Sequence, residues 1–167
     1  MLGYVVVTAP GDAGPLLREV AARLAKSGVT VAGAVQTGGG GDAQGRGVME
    51  LRVLPDNVPV RISQDLGALS QGCRLDADGL ERAVAMVERS MAAEPQILIV
   101  NKFGKQEEEG RGFRPLIGTA LMAGRPVLVA VGEDDLSGFL TFAETLAERL
   151  PADPEDLVAW CRERIAV

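Results

Sequence analysis

The stretch Ile97-Leu98-Ile99-Val100-Asn101-Lys102-Phe103-Gly104-Lys105-Gln106-Glu107 decides how the rest of the chain is read. Its first four residues form an unbroken apolar run, the mark of a strand buried on both faces of a parallel sheet. The polar residues that follow then emerge at the carboxyl end of that strand, where open α/β sheets hold their ligands. The chain has only three lysines, Lys26, Lys102 and Lys105, against fourteen arginines. Two of the three sit on this one strand-exit loop, which makes the loop a candidate site for something negatively charged.

Strands and helices alternate on either side of it. Tyr4-Val5-Val6-Val7-Thr8 reads as a strand, Ala9 to Pro15 as a glycine- and proline-rich turn, and Leu16, Leu17, Val20, Ala21 and Leu24 as one face of a helix that Gly28 ends. Val31 to Gln36 gives a second strand, and the glycine-rich tract from Gly38 to Gly47 has too little side chain to pack, so a mobile loop is expected. Met49, Leu51 and Val53 alternate with polar residues, Pro55-Asp56-Asn57 turns the chain, and Val58, Val60 and Ile62 alternate on the return, a β-hairpin with one buried face.

Leu80, Ala83, Val84, Val87 and Met91 mark a helix opened by Asp76 or Asp78 ahead of the Ile97 strand. A helix from Pro115 to Gly124 leads into the strand Val127 to Val131. Ser137 is placed to cap a helix through Leu150, and a terminal helix carries Leu157, Val158, Cys161 and Ile165. The expectation is one α/β domain over residues 1–167: a three-layer sandwich on a mostly parallel sheet, with the hairpin as an insertion.

Composition narrows the function classes. With 17 basic and 23 acidic residues the chain carries a formal charge of -6, which argues against general nucleic-acid binding, because that needs a positive footprint. No apolar run approaches the roughly 20 residues of a membrane span and the amino terminus lacks a basic signal flank, so no membrane insertion and a cytoplasmic location are expected. The two cysteines do not make a disulfide framework. With no histidine in the chain, neither a zinc site nor a histidine-based triad is expected, and no cofactor is specified.

Two segments carry the candidate ligand-binding residues. Gly11, Asp12, Ala13 and Gly14 lie at a helix amino terminus, whose free amides and partial positive charge suit an oxyanion. Asn101, Lys102, Lys105, Arg111 and Arg114 follow the buried strand, where the arginine forks match phosphates and the glycines of Gly110-Arg111-Gly112 let backbone approach. Arg46 in the glycine tract, Glu107, and the pair Cys73-Arg74 form a second tier. Glu133-Asp134-Asp135 is open to two readings, a hard-cation site or acidic residues preceding a helix.

The order strand, glycine-rich turn, helix invites comparison with the phosphate-binding P-loop G-x-x-x-x-G-K-[ST], in which backbone amides cradle phosphate, lysine neutralises charge and a hydroxyl holds magnesium. Here Ala9 stands at the first glycine, Gly14 keeps the second, Pro15 replaces the lysine and Leu16 the hydroxyl. Asn101 replaces the carboxylate expected to assist magnesium at the second strand. The parts for ordinary magnesium-dependent ATP or GTP hydrolysis are missing, and any catalytic residue stays unassigned.

Three motifs, T-A-P-G-D-A-G at Thr8 to Gly14, D-L-G-x-x-S-x-G-C-R-L-D at Asp65 to Asp76 and V-N-K-F-G-K-Q-E-x-E-G-R-G-F-R at Val100 to Arg114, resemble an uncharacterised bacterial domain of unknown function. Its members are associated with molybdate transport and molybdenum metabolism, and it is distantly similar to small RecA-like nucleoside-triphosphatases of thermophiles. The resemblance implies a degenerate P-loop-like scaffold. The reading is noncatalytic binding of a small oxyanion or phosphate-bearing molecule. Two alternatives stay open, a nucleotide-binding protein or atypical nucleoside-triphosphatase, and an interaction module whose basic loop docks a protein partner.

Overall fold

The computed structural model describes residues 1–9, 11–38, 48–64 and 75–166. The glycine tract beyond Gly38, with Arg46, and the segment holding Cys73 and Arg74 lie outside the described residues. In chain order the elements are β1 (Leu2–Val7), α1 (Ala13–Lys26), β2 (Val31–Gly38), β3 (Met49–Leu54), β4 (Val58–Arg61), α2 (Ala77–Ser90), β5 (Ile97–Phe103), α3 (Lys105–Glu108), α4 (Arg114–Met122), β6 (Val127–Gly132), α5 (Leu136–Ala143), β7 (Ala147–Arg149) and α6 (Pro154–Ile165). Among the described residues seven strands make one sheet in the order β4-β3-β2-β5-β6-β1-β7. Strands β2, β5, β6, β1 and β7 run parallel, and β3 and β4 are antiparallel additions at the β2 edge.

The apolar run works as its composition requires. Because side chains alternate across a strand, Leu98 and Val100 enter the layer under α2, α4 and α5, while Ile97 and Ile99 enter the layer under α1 and α6. Each of the four is fully buried. Strand β6 divides its residues in the same way, with Val127, Val129 and Val131 on one face and Leu128 and Ala130 on the other. Two helical layers on one two-faced sheet give the expected α/β three-layer sandwich. No helix among the described residues is long and apolar enough to cross a membrane.

The hairpin forms with Leu51 opposite Val60 and Val53 opposite Val58, and Asn57 turns the chain at φ 58°. It continues the main sheet through β3 on β2, so the inserted hairpin extends that sheet. The helix expected from Ser137 to Leu150 is the main correction. Helix α5 stops at Ala143, Glu144 takes φ 51°, and Ala147–Arg149 pair in parallel with Leu2, Gly3 and Tyr4. A helix through Leu150 suited the cap at Ser137, but the chain here meets the edge of β1, and strand pairing takes its backbone groups. Asp76, not Asp78, caps α2, accepting the Asp78 amide at 3.1 Å.

Strand β2 approaches β5 too closely for any side chain at Gly33. A Cβ there would lie 1.8 Å from the Ile99 carbonyl oxygen, and φ is 137°. Gly33→Ala is therefore expected to lower the unfolding free energy by at least about 2 kcal/mol, from backbone strain and overpacking together. Urea denaturation reads the loss, and a change below about 0.5 kcal/mol would show that β2 and β5 part there without cost.

Candidate functional site

A cleft of about 490 Å³ opens across the carboxyl ends of β1, β2, β5 and β6. Thr8, Ala9 and Gly11 line it from the β1 exit, Ala13, Gly14, Pro15 and Arg18 from α1, and Gln36 and Thr37 from β2. Asn101, Lys102, Gly104 and Glu107 come from the β5 exit, and Gly132 to Asp135 from the β6 exit. Met49, Leu51, Ile62, Leu75 and Leu80 complete an apolar wall. The cleft thus joins the two segments singled out from the sequence.

Helix α1 starts at Ala13 with its amino end wedged against the end of β2. A Cβ on Gly14 would lie 2.4 Å from the Gln36 carbonyl oxygen and 3.9 Å from Asn101 Nδ2, so only glycine admits this approach. The first-turn amides of Ala13 and Gly14 have no acceptor within the helix, and Pro15 brings no amide. The Asp12 amide is already donated to the Ala9 carbonyl at 3.3 Å, and the Asp12 side chain does not cap the helix.

Asn101 is the anomaly of the site. It is 2% exposed, it lines the cleft, and neither Nδ2 nor Oδ1 has a hydrogen-bond partner among the described residues. Buried amides are paired in nearly all folded proteins, and an orphaned one costs about 1–3 kcal/mol. The next residue, Lys102, is the extra residue of a β-bulge: Asn101 pairs with Ala130 and Phe103 with Val131. Bulges re-aim side chains beside functional sites, and here Lys102 is exposed at the cleft while Phe103 is buried among Phe139 and Phe142, with ring centroids 5.2 and 5.3 Å away.

Glu107 organises the loop after β5. Its Oε1 accepts the Gly104 amide at 2.9 Å, the back-bond of a capping box on α3, and its Oε2 accepts the Phe113 amide at 3.0 Å, at the start of α4. One carboxylate thereby closes the amino ends of two helices. Gly112 must lack a side chain to make room, since a Cβ there would lie 1.7 Å from Glu107 Oε2, and its amide is given to Glu81 on α2 at 2.9 Å. Burial pushes the Glu107 carboxyl above the ordinary carboxylate range, aided by the charge of Glu81 and opposed by the amide hydrogen bonds.

The remaining basic candidates are placed differently. Arg114 donates to the carbonyls of Glu107 and Glu108 at 3.3 and 3.1 Å and stacks 5.0 Å over the Phe142 ring. Arg111 pairs with Glu109 and donates to Gln106. Both secure the loop that carries them and neither lines the cleft, nor does Lys105, which is exposed at the start of α3. Among the described residues the cationic groups lining the cleft are Lys102 and Arg18. Arg18 is absent from the candidates drawn from sequence; its signal was the spacing of four residues from Gly14, which puts it one turn along α1, where its Nε reaches the Gly14 carbonyl at 3.4 Å. Glu133, Asp134 and Asp135 line the cleft from the β6 exit, and the described residues hold no group of three acidic or cysteine side chains arranged for a metal ion.

Sheet, layers and cleft position together define an α/β three-layer sandwich of the P-loop nucleoside-triphosphatase-like type, with its cleft at the strand ends. The chain belongs to the DUF2478 family of proteins of unknown function, which matches residues 2–160. It is also 32% identical over 155 residues to the molybdenum import ATP-binding protein ModC 2 of Bradyrhizobium diazoefficiens, an alignment that covers 91% of this chain but only 17% of that protein. No solved structure matches the chain.

The Glu107 clip carries its own test. Glu107→Ala leaves the Gly104 and Phe113 amides without acceptors, and a loss of about 2 kcal/mol or more is expected in denaturant unfolding. The pH dependence has a definite sign. Because the folded carboxyl titrates above its unfolded value, the folded state holds the proton longer, so this group lowers stability as pH rises from the ordinary value of 4.5 through its raised folded value. Glu107→Gln removes that slope, and identical pH–stability slopes in the wild type and in Glu107→Gln would contradict the burial argument.

Proposed function

We propose that the cleft binds a phosphate-bearing small molecule, a nucleotide in the first instance, without hydrolysing it. The observation that carries this reading is the buried, unpartnered amide of Asn101, set beside the amino end of α1. The helix end offers amides and a partial positive charge, and Lys102 and Arg18 line the cleft with full charges. The likeness to an ATP-binding protein supports a nucleotide as the ligand. The absence of a P-loop lysine and hydroxyl, with an uncharged amide where a magnesium-assisting carboxylate is expected, supports binding without hydrolysis.

The core ligand set is therefore Gly11, Ala13, Gly14, Asn101 and Lys102, joined by Arg18, while Asp12, whose amide is already donated and which does not line the cleft, drops out of it. Lys105, Arg111 and Arg114 contribute field around the entrance rather than contacts within it. A role in molybdenum metabolism follows only from the name of the relative and is part of the proposal.

Thermal unfolding with ATP, GTP, ADP and inorganic phosphate, each with and without magnesium, tests the reading. A ligand at about 100 times its dissociation constant stabilises the fold by about 2.7 kcal/mol. Lys102→Ala and Arg18→Ala are expected to cut the shift by more than half, whereas Lys105→Ala is expected to leave most of it. No shift with any of these ligands would overturn the proposal, and phosphate release from ATP at a rate lost in Lys102→Ala would replace binding with catalysis.

A further inference from the structure

The orphaned amide says more than that something binds. An asparagine side chain has two ends, an NH₂ that donates and a carbonyl oxygen that accepts. Both are buried and both are without partners in the cleft. A ligand that satisfies the pair must bring an acceptor to Nδ2 and a donor to Oδ1 at the same time. The cleft rim points the same way: Glu133, Asp134 and Asp135 line it, and ionised carboxylates only accept. A ligand with nothing but acceptor oxygens would meet Oδ1 and this rim without a proton to offer either.

Resting on the binding reading above, we infer that Asn101 is a specificity-determining residue: it selects ligands that present a donor and an acceptor side by side. Hydrogenphosphate does so through one P–OH and one P–O, and a nucleotide does so through an amide- or amino-bearing base edge or its ribose hydroxyls. Molybdate and sulfate at neutral pH are fully deprotonated tetrahedral ions with acceptors alone, and Oδ1 is left facing their oxygen. Sites that hydrogen-bond a ligand proton reject analogues that lack it, because the buried partner then stays unpaired. The cleft is thus selective against the bare oxyanion, and any connection to molybdenum chemistry runs through another ligand.

The test is calorimetric titration of the full chain with inorganic phosphate, sulfate, molybdate and ATP at equal ionic strength and neutral pH, repeated with Asn101→Leu and Asn101→Asp. The wild type is expected to bind phosphate or ATP at least about tenfold more tightly than sulfate or molybdate. Asn101→Leu, which removes the orphaned groups without adding charge, is expected to keep its melting temperature or raise it while weakening the preferred ligand at least about tenfold. Asn101→Asp keeps an acceptor but loses the donor and adds a negative charge, so it is expected to lose anion binding as well, which guards against a packing effect peculiar to leucine. Equal affinities for phosphate, sulfate and molybdate in the wild type, tighter binding of molybdate, or unchanged affinity in Asn101→Leu would overturn the inference while leaving ligand binding in place. No binding of any of the four overturns the inference together with the reading beneath it.

Discussion

Strand β5 has no face to spare for water. It is paired on both edges, by β2 and β6, and covered on both faces, so its four apolar residues fix the middle of the molecule and the level at which the chain leaves the sheet. The geometry of the cleft depends on that exit. Asn101 is buried because it is still within the strand, Lys102 turns outward because it is the bulged residue, and Phe103 returns to the core to lock the bulge between aromatic neighbours. Moving this strand by one residue would exchange the faces of all its side chains.

The second constraint is the Glu107 carboxylate. A buried acid is costly, and here its cost is offset by two amides that would otherwise be unsatisfied helix ends. The clip holds the chain from Gly104 to Phe113 as a compact turn, and Arg114 ties off the carbonyls at the other end of α3. In consequence Arg111 and Arg114 serve to keep the loop shaped. Among the described residues the cleft is left with backbone amides, one lysine, one arginine and a neutral side-chain amide beside three acidic residues. Under the proposed binding role, recognition there is governed by hydrogen-bond pattern more than by total charge.

Much of the fold was legible because its signals are long or alternating. The runs at Ile97 and Val127 could only be doubly buried strands, and the period-two hairpin announced its own turn. Strand β7 was not legible: three residues, Ala147, Glu148 and Arg149, carry no apolar pattern, and their strand state is imposed by the open edge of β1. Helix α3, four residues long, is held by a side chain reaching back to the backbone rather than by propensity. For the candidate site, position at strand ends was enough to expect Asn101, Lys102 and the α1 turn together, and they line one cleft. Arg111 and Arg114 drew attention by residue type, but their partners belong to the loop itself, the Glu109 and Gln106 side chains and the carbonyls of Glu107 and Glu108, which no sequence pattern reveals. The clip formed by Glu107 was hidden for the same reason.

The hairpin has a consequence at the far side of the sheet. Strand β4 is an outermost strand, and Pro59, opposite Arg52, removes one amide from it. A row of exposed donors and acceptors invites a foreign strand to add on, and a missing donor interrupts that template. Among the described residues the sheet therefore ends at β4 by chemistry as well as by order, with a donor missing from its valine-rich edge.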